Sequence, residues 1–500
     1  MSKSLLTSLA ATALVGTVVA EIPTRPNIIW LMAEDMGQDL ECYGMKGVET
    51  PNLNMMAREG VLYNAACCTN PISSPSRSAM MTGVHQTITN SHNHRSNRDT
   101  PIDTKYKPFT YYLREAGYTT ILGNSNVRNK GRKTDCNFKH EAIGEWDGVT
   151  KFGLFDKYDE FTTTDQPFFA QIQLLVTHRG DWWNEVTATS PSPVKTSEIE
   201  LPPYLPDTEA VRKEWASYLD QVERMDFEVG VILDELKAKG LLDNTIIFFI
   251  GDNGRCEVKG KGYLYEPGLK IPMVAWGKGV NPKEVDEIVS TLDITATVLD
   301  LAGVELPDYY QGSPLFDRTS GVSRKGVDSF YGARDTWDEV VECIRSITTE
   351  DYKYIRNYMP EQGWDMHQQY LEFHRPAIHV LRDLKAKGEL NEEQLLFMAD
   401  HKPAEELYDL RKDPHELNNL AESKKYSEVL QDMRSRMDKW QAQNEDKGLA
   451  NRNSRTPEKV APLAEYVKSA HPEEWQKLLE GEVGESYKRY SKELKNIKNK

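Results

Sequence analysis

Four apolar runs stand out along this 500-residue chain: NIIWLMA at 27–33, TTILG at 119–123, FFAQIQLLV at 168–176 and TIIFFI at 245–250. Each is apolar at successive positions and ends in polar or glycine-containing residues, the pattern of strands buried on both faces of a mostly parallel sheet. Between 209 and 239 the period lengthens: Val211, Trp215, Tyr218, Val222, Met225, Val229, Ile232 and Leu236 recur every three or four residues, predicting one long helix with a single buried face. Strands alternating with helices predict an α/β sandwich with the sheet in the middle. Beyond about Asp328 the pattern changes. CIRSITTEDYKYIRNY alternates and is rich in β-branched and aromatic residues, predicting antiparallel hairpin strands; 361–401 is polar and helical; and the tail from Glu422 is dense in Lys and Glu. The chain therefore divides into a larger domain over 21–328 and a smaller C-terminal α+β subdomain over 329–500 with a charged end.

Ligands of open α/β sheets bind beyond the carboxyl ends of the strands, so the residues after each run matter most. They are Glu34 and Asp35 after the first run, Thr177, His178 and Arg179 after the third, and Gly251, Asp252 and Asn253 after the fourth. Acids, an amide and a histidine thus converge on one edge of the expected sheet.

Composition narrows the classes. Lys and Arg number 61 against 77 Asp and Glu, a net charge of −16 that repels nucleic acid and anionic membrane surfaces. An anionic substrate would need a local cluster of Arg, Lys and metal to overcome that field. The first twenty residues, MSKSLLTSLAATALVGTVVA, carry Lys3, an apolar stretch and small residues before Glu21, the pattern of a secretory signal peptide and hence of a secreted or periplasmic protein. No later segment reads as a membrane span. Six cysteines are too few for a disulfide scaffold, although one or two bridges are possible, and none has zinc-site spacing.

The most distinctive short segment is NPISSPSRSAMMTG at 70–83. Pro75 suits the first turn of a helix, Ser74 its N-cap and Gly83 its stop, which sets Ser73 just ahead of a helix N-terminus. Free backbone N–H groups and a partial positive charge make such an end a seat for an anion, and Arg77 adds a cationic fork suited to tetrahedral oxyanions. Taken alone, a serine-rich loop of this kind is a helix cap and nothing more.

Its wider pattern, Ser-x-Pro-Ser-Arg-x-x-x-Met-Thr-Gly, resembles the signature of the type I sulfatases, in which Cys or Ser heads Cys/Ser-x-Pro-x-Arg. Other stretches resemble the same family in order: PNIIWLMAEDMG its opening strand and metal-ligand pair, ETPNLNMMAREGVLYNAA the following helix and strand, and IIFFIGDNG its late Asp-Asn metal pair. KGYLYEPGLKIPMVAWG, STLDITATVLDLAGV and ELYDLRKDPHELNNLA continue the likeness, which runs from about Pro26 to Ala421. The layout is most similar to the sulfamidase, or heparan N-sulfatase, branch and its microbial polysaccharide-acting relatives. The resemblance implies an alkaline-phosphatase-like sandwich with a short antiparallel sheet in the C-terminal subdomain.

For the site it implies that a maturase oxidises Ser73 to Cα-formylglycine, whose hydrate attacks sulfur and later expels sulfate. A serine start resembles the type matured by bacterial radical enzymes. Glu34, Asp35, Asp252, Asn253 and the modified Ser73 would bind Ca²⁺, or Mg²⁺, since oxygen ligands suit hard ions. Glu34 departs from the family's commoner Asp. Arg77, His178 and Lys261 would neutralise the sulfuryl oxygens, with His178 contacting sulfate or protonating the leaving oxygen. The largest departure is at Gly123-Asn124-Ser125-Asn126, where relatives carry Gly-Lys-x-His touching sulfate and formylglycine. Asn124 and Asn126 can bond a substrate but cannot shuttle a proton. Substitutes are His92 or His94 in NSHNHRSNR, or Arg128; the histidine pair is also a candidate sugar contact, or simply a solvated loop.

The activity implied is hydrolysis of a sulfate ester, or less directly a sulfamate, on a sulfated carbohydrate. Two alternatives remain at this stage. One is a phosphodiesterase or phosphonate hydrolase of the alkaline phosphatase superfamily acting through unmodified Ser73, against which the lack of a second-metal histidine set argues. The other is a glycan-binding relative that has lost turnover, motivated by Asn124 and Asn126.

Overall fold

The computed structural model describes residues 21–124, 132–365, 367–450, 461–485 and 487–498. The leader at 1–20, Asn126 and Arg128 lie outside them. The four apolar runs form β1 (Asn27–Ala33), β3 (Thr119–Leu122), β5 (Phe168–Leu174) and β6 (Thr245–Gly251) of an eight-stranded sheet. β2 (Val61–Tyr63), β4 (Lys157–Tyr158), β7 (Met273–Gly277) and β8 (Lys283–Val285) complete it in the order β8-β2-β7-β6-β1-β5-β3-β4. Neighbours run parallel except around β7, which is antiparallel to both β2 and β6. The FFAQIQLLV run stops being strand at Leu174, two residues short of its apolar end, because the chain turns there and the His178 amide bonds the Leu175 carbonyl at 3.0 Å.

Helices cover both faces, as the α/β reading requires. The long helix spans Glu209–Ala238, with the Thr208 hydroxyl accepting from the Val211 amide at its start, and all eight positions of the apolar stripe are buried. Its Asp226 also accepts from the Asn52 and Leu53 amides at the start of α1 (Pro51–Glu59), so a carboxylate of one helix caps the N-terminus of its neighbour. Against the opposite region of the sheet, Trp30, Phe109 and Phe169 form an aromatic triangle with ring centroids 4.8, 5.3 and 5.0 Å apart.

β9 (Phe330–Arg334), β10 (Ile344–Thr348), β11 (Tyr352–Asn357) and β12 (Glu405–Asp409) pair antiparallel in that order, forming the small second sheet. A helix at Ser427–Asn444 sets Leu430, Met433 and Met437 against Ile347, Tyr354 and Leu407 of this sheet. The main hydrophobic core is continuous from β1 into this region through Ile344 and Ile355. All six cysteines are free thiols, five of them buried, so no bridge supports the fold. Among the described residues no helix is long and apolar enough to cross a membrane.

Truncating the aromatic triangle with Phe169→Ala should lower stability by about 3–5 kcal/mol, the usual cost of deleting a buried ring. Chemical denaturation with an unchanged m-value checks this.

Candidate active site

Register builds the site. Ala33 at the end of β1 lies opposite both Leu174 of β5 and Gly251 of β6, so the three strands end level and their next residues share one edge. Asp35 there takes a left-handed backbone, φ 50°, a costly conformation for a non-glycine residue that clusters at functional sites. The Asp35 amide donates to Asp252 Oδ1 at 3.1 Å, and Asn253 Nδ2 donates to Asp35 Oδ1 at 3.1 Å, locking the two strand ends together.

The serine segment enters this edge as helix α2, Ser73–Thr82. Ser74 is not its N-cap: the helix starts two residues earlier than that cap implies, with Ile72 at the cap position and no side-chain cap bond. Ser73 is thus the first helical residue. Its hydroxyl donates to Asn253 Oδ1 at 2.9 Å, and Ser76 Oγ donates to the Asp252 carbonyl at 2.6 Å. Ser74 Oγ is buried without a partner. Gly83 ends the helix as expected, at φ 68°, where a Cβ would also strike the Tyr310 ring.

Three cations meet the acids. Arg77 Nε donates to Asp252 Oδ2 at 2.9 Å, and its guanidinium lies 3.6 Å from Glu34 Oε1. Lys261 Nζ lies 2.7 Å from each oxygen of Asp35. Lys133 donates to Glu34 Oε2. Burial opposes ionisation of Asp35, but Lys261 and then His178 outweigh it and hold the carboxyl well below the usual carboxylate range. His178 Nε2 stands 3.9 Å from Glu34 and 3.8 Å from Asp35, while its Nδ1 donates to the Arg179 carbonyl at 3.0 Å. Burial pushes the imidazole down to about 3 against the opposing pull of Asp35, so His178 is neutral and its Nε2 is a proton acceptor.

The oxygen donors of Glu34, Asp35, Asp252, Asn253 and Ser73 suit a hard cation, and Glu34 Oε1 is buried with no hydrogen bond, leaving an acceptor that a cation would satisfy. As arranged, Lys261 and Arg77 take up Asp35 and Asp252. Among the described residues no three His, Cys, Asp or Glu side chains gather closely enough to hold a metal by themselves, so the amide and hydroxyl oxygens are needed to complete a set.

Other expected contacts fall elsewhere. Asn124 Nδ2 donates to Glu235 Oε2 of the long helix at 2.8 Å, and the structure does not bring it among the acids. His92 and His94 are buried, not solvated: His92 faces Asp335 and Arg345 near the second sheet, while His94 Nε2 lies 3.9 Å from Asp338 and its ring 6.5 Å from Trp337. Burial lowers the pKa of both.

Sequence reasoning missed Lys133, Gln171 and Gln173. Gln173 bridges Arg77 to the Met32 carbonyl, and Gln171 Nε2 holds the Lys133 carbonyl at 2.8 Å. The signal was present, since two glutamines at alternate positions of a buried strand share one face and need polar partners there. The aromatic surroundings were missed as well: Lys261 Nζ lies over Tyr370 and Trp337, 5.2 and 5.7 Å from the ring centroids, and Tyr370 leans on His178 at 5.2 Å.

A helix-borne hydroxyl, an arginine and an acid–amide edge thus share one buried site at the carboxyl ends of the strands. Comparison with known proteins names the family. Residues 26–304 match the family model Sulfatase, and residues 254–374 match N-sulphoglucosamine sulphohydrolase, C-terminal. The chain is 32% identical over 467 residues to an ulvan-active sulfatase of Formosa agariphila, spanning 84% of this chain and 75% of the relative. It is 25% identical to human N-sulphoglucosamine sulphohydrolase, spanning 88% and 94%. A phosphonate monoester hydrolase from Silicibacter pomeroyi shares the fold at TM-score 0.61 and 15% identity, over 85% of this chain and 96% of that one. The chain belongs to the sulfatase family and is a sulfuric ester hydrolase.

Replacing Arg77 by Gln should reduce kcat/KM by about 10²–10³-fold, the scale for removing one preorganised charge-stabilising donor. Lys133→Gln should reduce it at least tenfold, with Lys133→Arg recovering part of the loss; steady-state kinetics on one sulfated substrate checks both.

Proposed function

We propose that this enzyme releases sulfate from a sulfated oligo- or polysaccharide, using Ser73 oxidised to formylglycine and a Ca²⁺ ion, with Mg²⁺ the alternative. The observation that carries the reading is the buried Ser73 hydroxyl, first in its helix and 2.9 Å from Asn253 Oδ1, with Arg77 one turn behind it. Ulvan is the substrate in the name of one relative and N-sulphoglucosamine in that of another; both are sulfated carbohydrates, which supports a glycan substrate here. The apolar leader pattern supports action outside the cytoplasm, in the periplasm or beyond the cell.

Glu34, Asp35, Asp252, Asn253 and the group at Ser73 would hold the ion, which supplies positive charge toward the sulfuryl oxygens. An aldehyde hydrate at Ser73 supplies a nucleophile whose second hydroxyl permits sulfate release without hydrolysis of a stable sulfate ester. The chain's own residues do the rest. Arg77 and Lys261 present fixed N–H groups to developing negative charge in a water-poor setting, where such groups act strongly. The Arg179 carbonyl fixes Nδ1–H of His178, so Nε2 is the atom that takes a proton from the nucleophile and passes it to the departing sugar oxygen. Sulfate ester is preferred over sulfamate because the more similar relative is the ulvan-active enzyme.

Mass spectrometry of the Ser73 peptide from the native host should show a loss of about 2 Da, the change from alcohol to aldehyde. An unmodified serine with turnover of phosphodiesters would overturn the proposal. Chelation should abolish sulfate release and lower the thermal midpoint, and Ca²⁺ or Mg²⁺ rather than Zn²⁺ should restore both, as expected of an all-oxygen site stabilised by its ion.

A further inference from the structure

Beside the edge at Ser73 lies a further pair of cations, Arg95 and Arg98, that the proposed reaction does not use. Asp135 is buried, and it accepts from Arg95 Nε at 2.9 Å and Arg95 Nη2 at 2.8 Å, and also from Arg98. Lys133, whose ammonium bonds Glu34, comes within 3.5 Å of the same carboxylate. Three cations therefore converge on Asp135, with Glu34 and Asp338 the further acids of the group. The side chains of Arg95 and Arg98 remain 44% and 43% exposed, so their charge reaches solvent. Nη1 of Arg95, and Nε and Nη1 of Arg98, donate to no protein atom among the described residues. Each planar fork thus has one edge braced on Asp135 and further donors open.

The loop is also held by bonds that do not involve these arginines. The Asn97 amide bonds Asn137 Oδ1 at 2.8 Å, Asn137 Nδ2 bonds the Asn93 carbonyl at 2.5 Å, and the His94 amide bonds the Thr336 carbonyl at 2.9 Å. Arg95 itself takes a left-handed backbone, φ 50°. Asp338, near His94, is the acid facing this group from the neighbouring loop, and it bounds the patch on that side.

Resting on the glycan reading above, we propose that Arg95 and Arg98, braced by Asp135, form a second anion subsite. It holds a further negatively charged substituent of the substrate, a carboxylate or another sulfate, while the scissile sulfate occupies the edge at Ser73. Lys133 joins the two by touching a carboxylate of each. The enzyme would then select glycans carrying two neighbouring anionic groups. Planar guanidinium forks suit both carboxylate and sulfate, and bracing fixes them before the substrate arrives.

The test compares three disaccharides sharing one scissile sulfate, in which the second substituent is a carboxylate, a sulfate or a neutral hydroxymethyl group. The mature full-length enzyme should favour at least one dianionic substrate over the neutral one by tenfold or more in kcat/KM, mainly through KM, and added salt should shrink that ratio. In Arg95→Gln/Arg98→Gln the ratio should fall to within about twofold of unity, while Arg95→Lys/Arg98→Lys should retain part of it. Which dianionic arm is favoured identifies the anion. Equal turnover of all three by the wild type, or an unchanged ratio in the glutamine variant, overturns the subsite. Binding of the same three compounds to Ser73→Ala, followed by calorimetry, reads the subsite without turnover. A charge preference there that disappears in Ser73→Ala/Arg95→Gln/Arg98→Gln supports the subsite even where no sulfate is released, and in that case the functional reading alone fails. No charge preference in binding overturns the subsite.

Discussion

Three parallel strands ending level impose one electrostatic constraint on this molecule. The common end of β1, β5 and β6 brings Glu34, Asp35 and Asp252 together, each essentially without solvent exposure. Buried carboxylates without counter-charges cost several kcal/mol apiece, so the fold must deliver cations to that edge. Arg77 arrives on α2, Lys261 on the loop after β6, and Lys133 on the stretch preceding Asp135. Each comes from a different part of the chain, which ties folding of the whole α/β layer to assembly of the edge.

The segments that carry these cations are in turn held from behind. Arg179, next to His178, is fully buried between Glu214 of the long helix and Glu257, and it also bonds the Cys256 carbonyl at 2.7 Å. Lys353 of the second sheet is buried between Glu266 and Glu416, anchoring the far end of the loop that bears Lys261. Lys259 bonds the His415 and Glu416 carbonyls. The small antiparallel sheet thus does more than extend the core: it fixes the loop that places Lys261 against Asp35. A rigid backing of this kind is what preorganised electrostatic catalysis needs, because the charges need not reorient during reaction.

How much of this was legible in the sequence follows from the range of each interaction. The apolar runs fixed four strands almost residue for residue, and the 3.6-residue stripe fixed the long helix, because both signals are local and large. The acids, Asn253, His178 and Lys261 were visible because strand ends and family motifs mark them. Ser74 was misread as the helix cap because capping rules weigh local bonds, whereas the hydroxyl of Ser73, the first helical residue, bonds Asn253, 180 residues away. Asn124 was assigned to substrate for want of any sign of Glu235, 111 residues on. Lys133 escaped notice for a similar reason: nothing local distinguishes a lysine that pairs with Glu34 from one in water. Its nearest signature is indirect, in Gln171 and Gln173 punctuating an otherwise apolar strand.

The departures at Asn124 and Asn126 raise the question of how a proton moves at this site. A carboxamide has no titratable proton at neutral pH, and the Asn124 amide is bonded to Glu235. His178 is the titratable group beside the acids. Its Nδ1–H is fixed on a backbone carbonyl, burial keeps the ring neutral, and Trp182 and Tyr370 flank it at ring-centroid distances of 6.3 and 5.2 Å. Burial disfavours the protonated ring and the Asp35 carboxylate 3.8 Å away opposes that effect, so the charge placed on this edge decides how readily Nε2 takes a proton. Under the proposed mechanism, Nε2 of His178 is the atom that would exchange that proton, since the Asn124 amide is engaged by Glu235. Lys133 brings positive charge to the same edge, at a sequence position no motif marks.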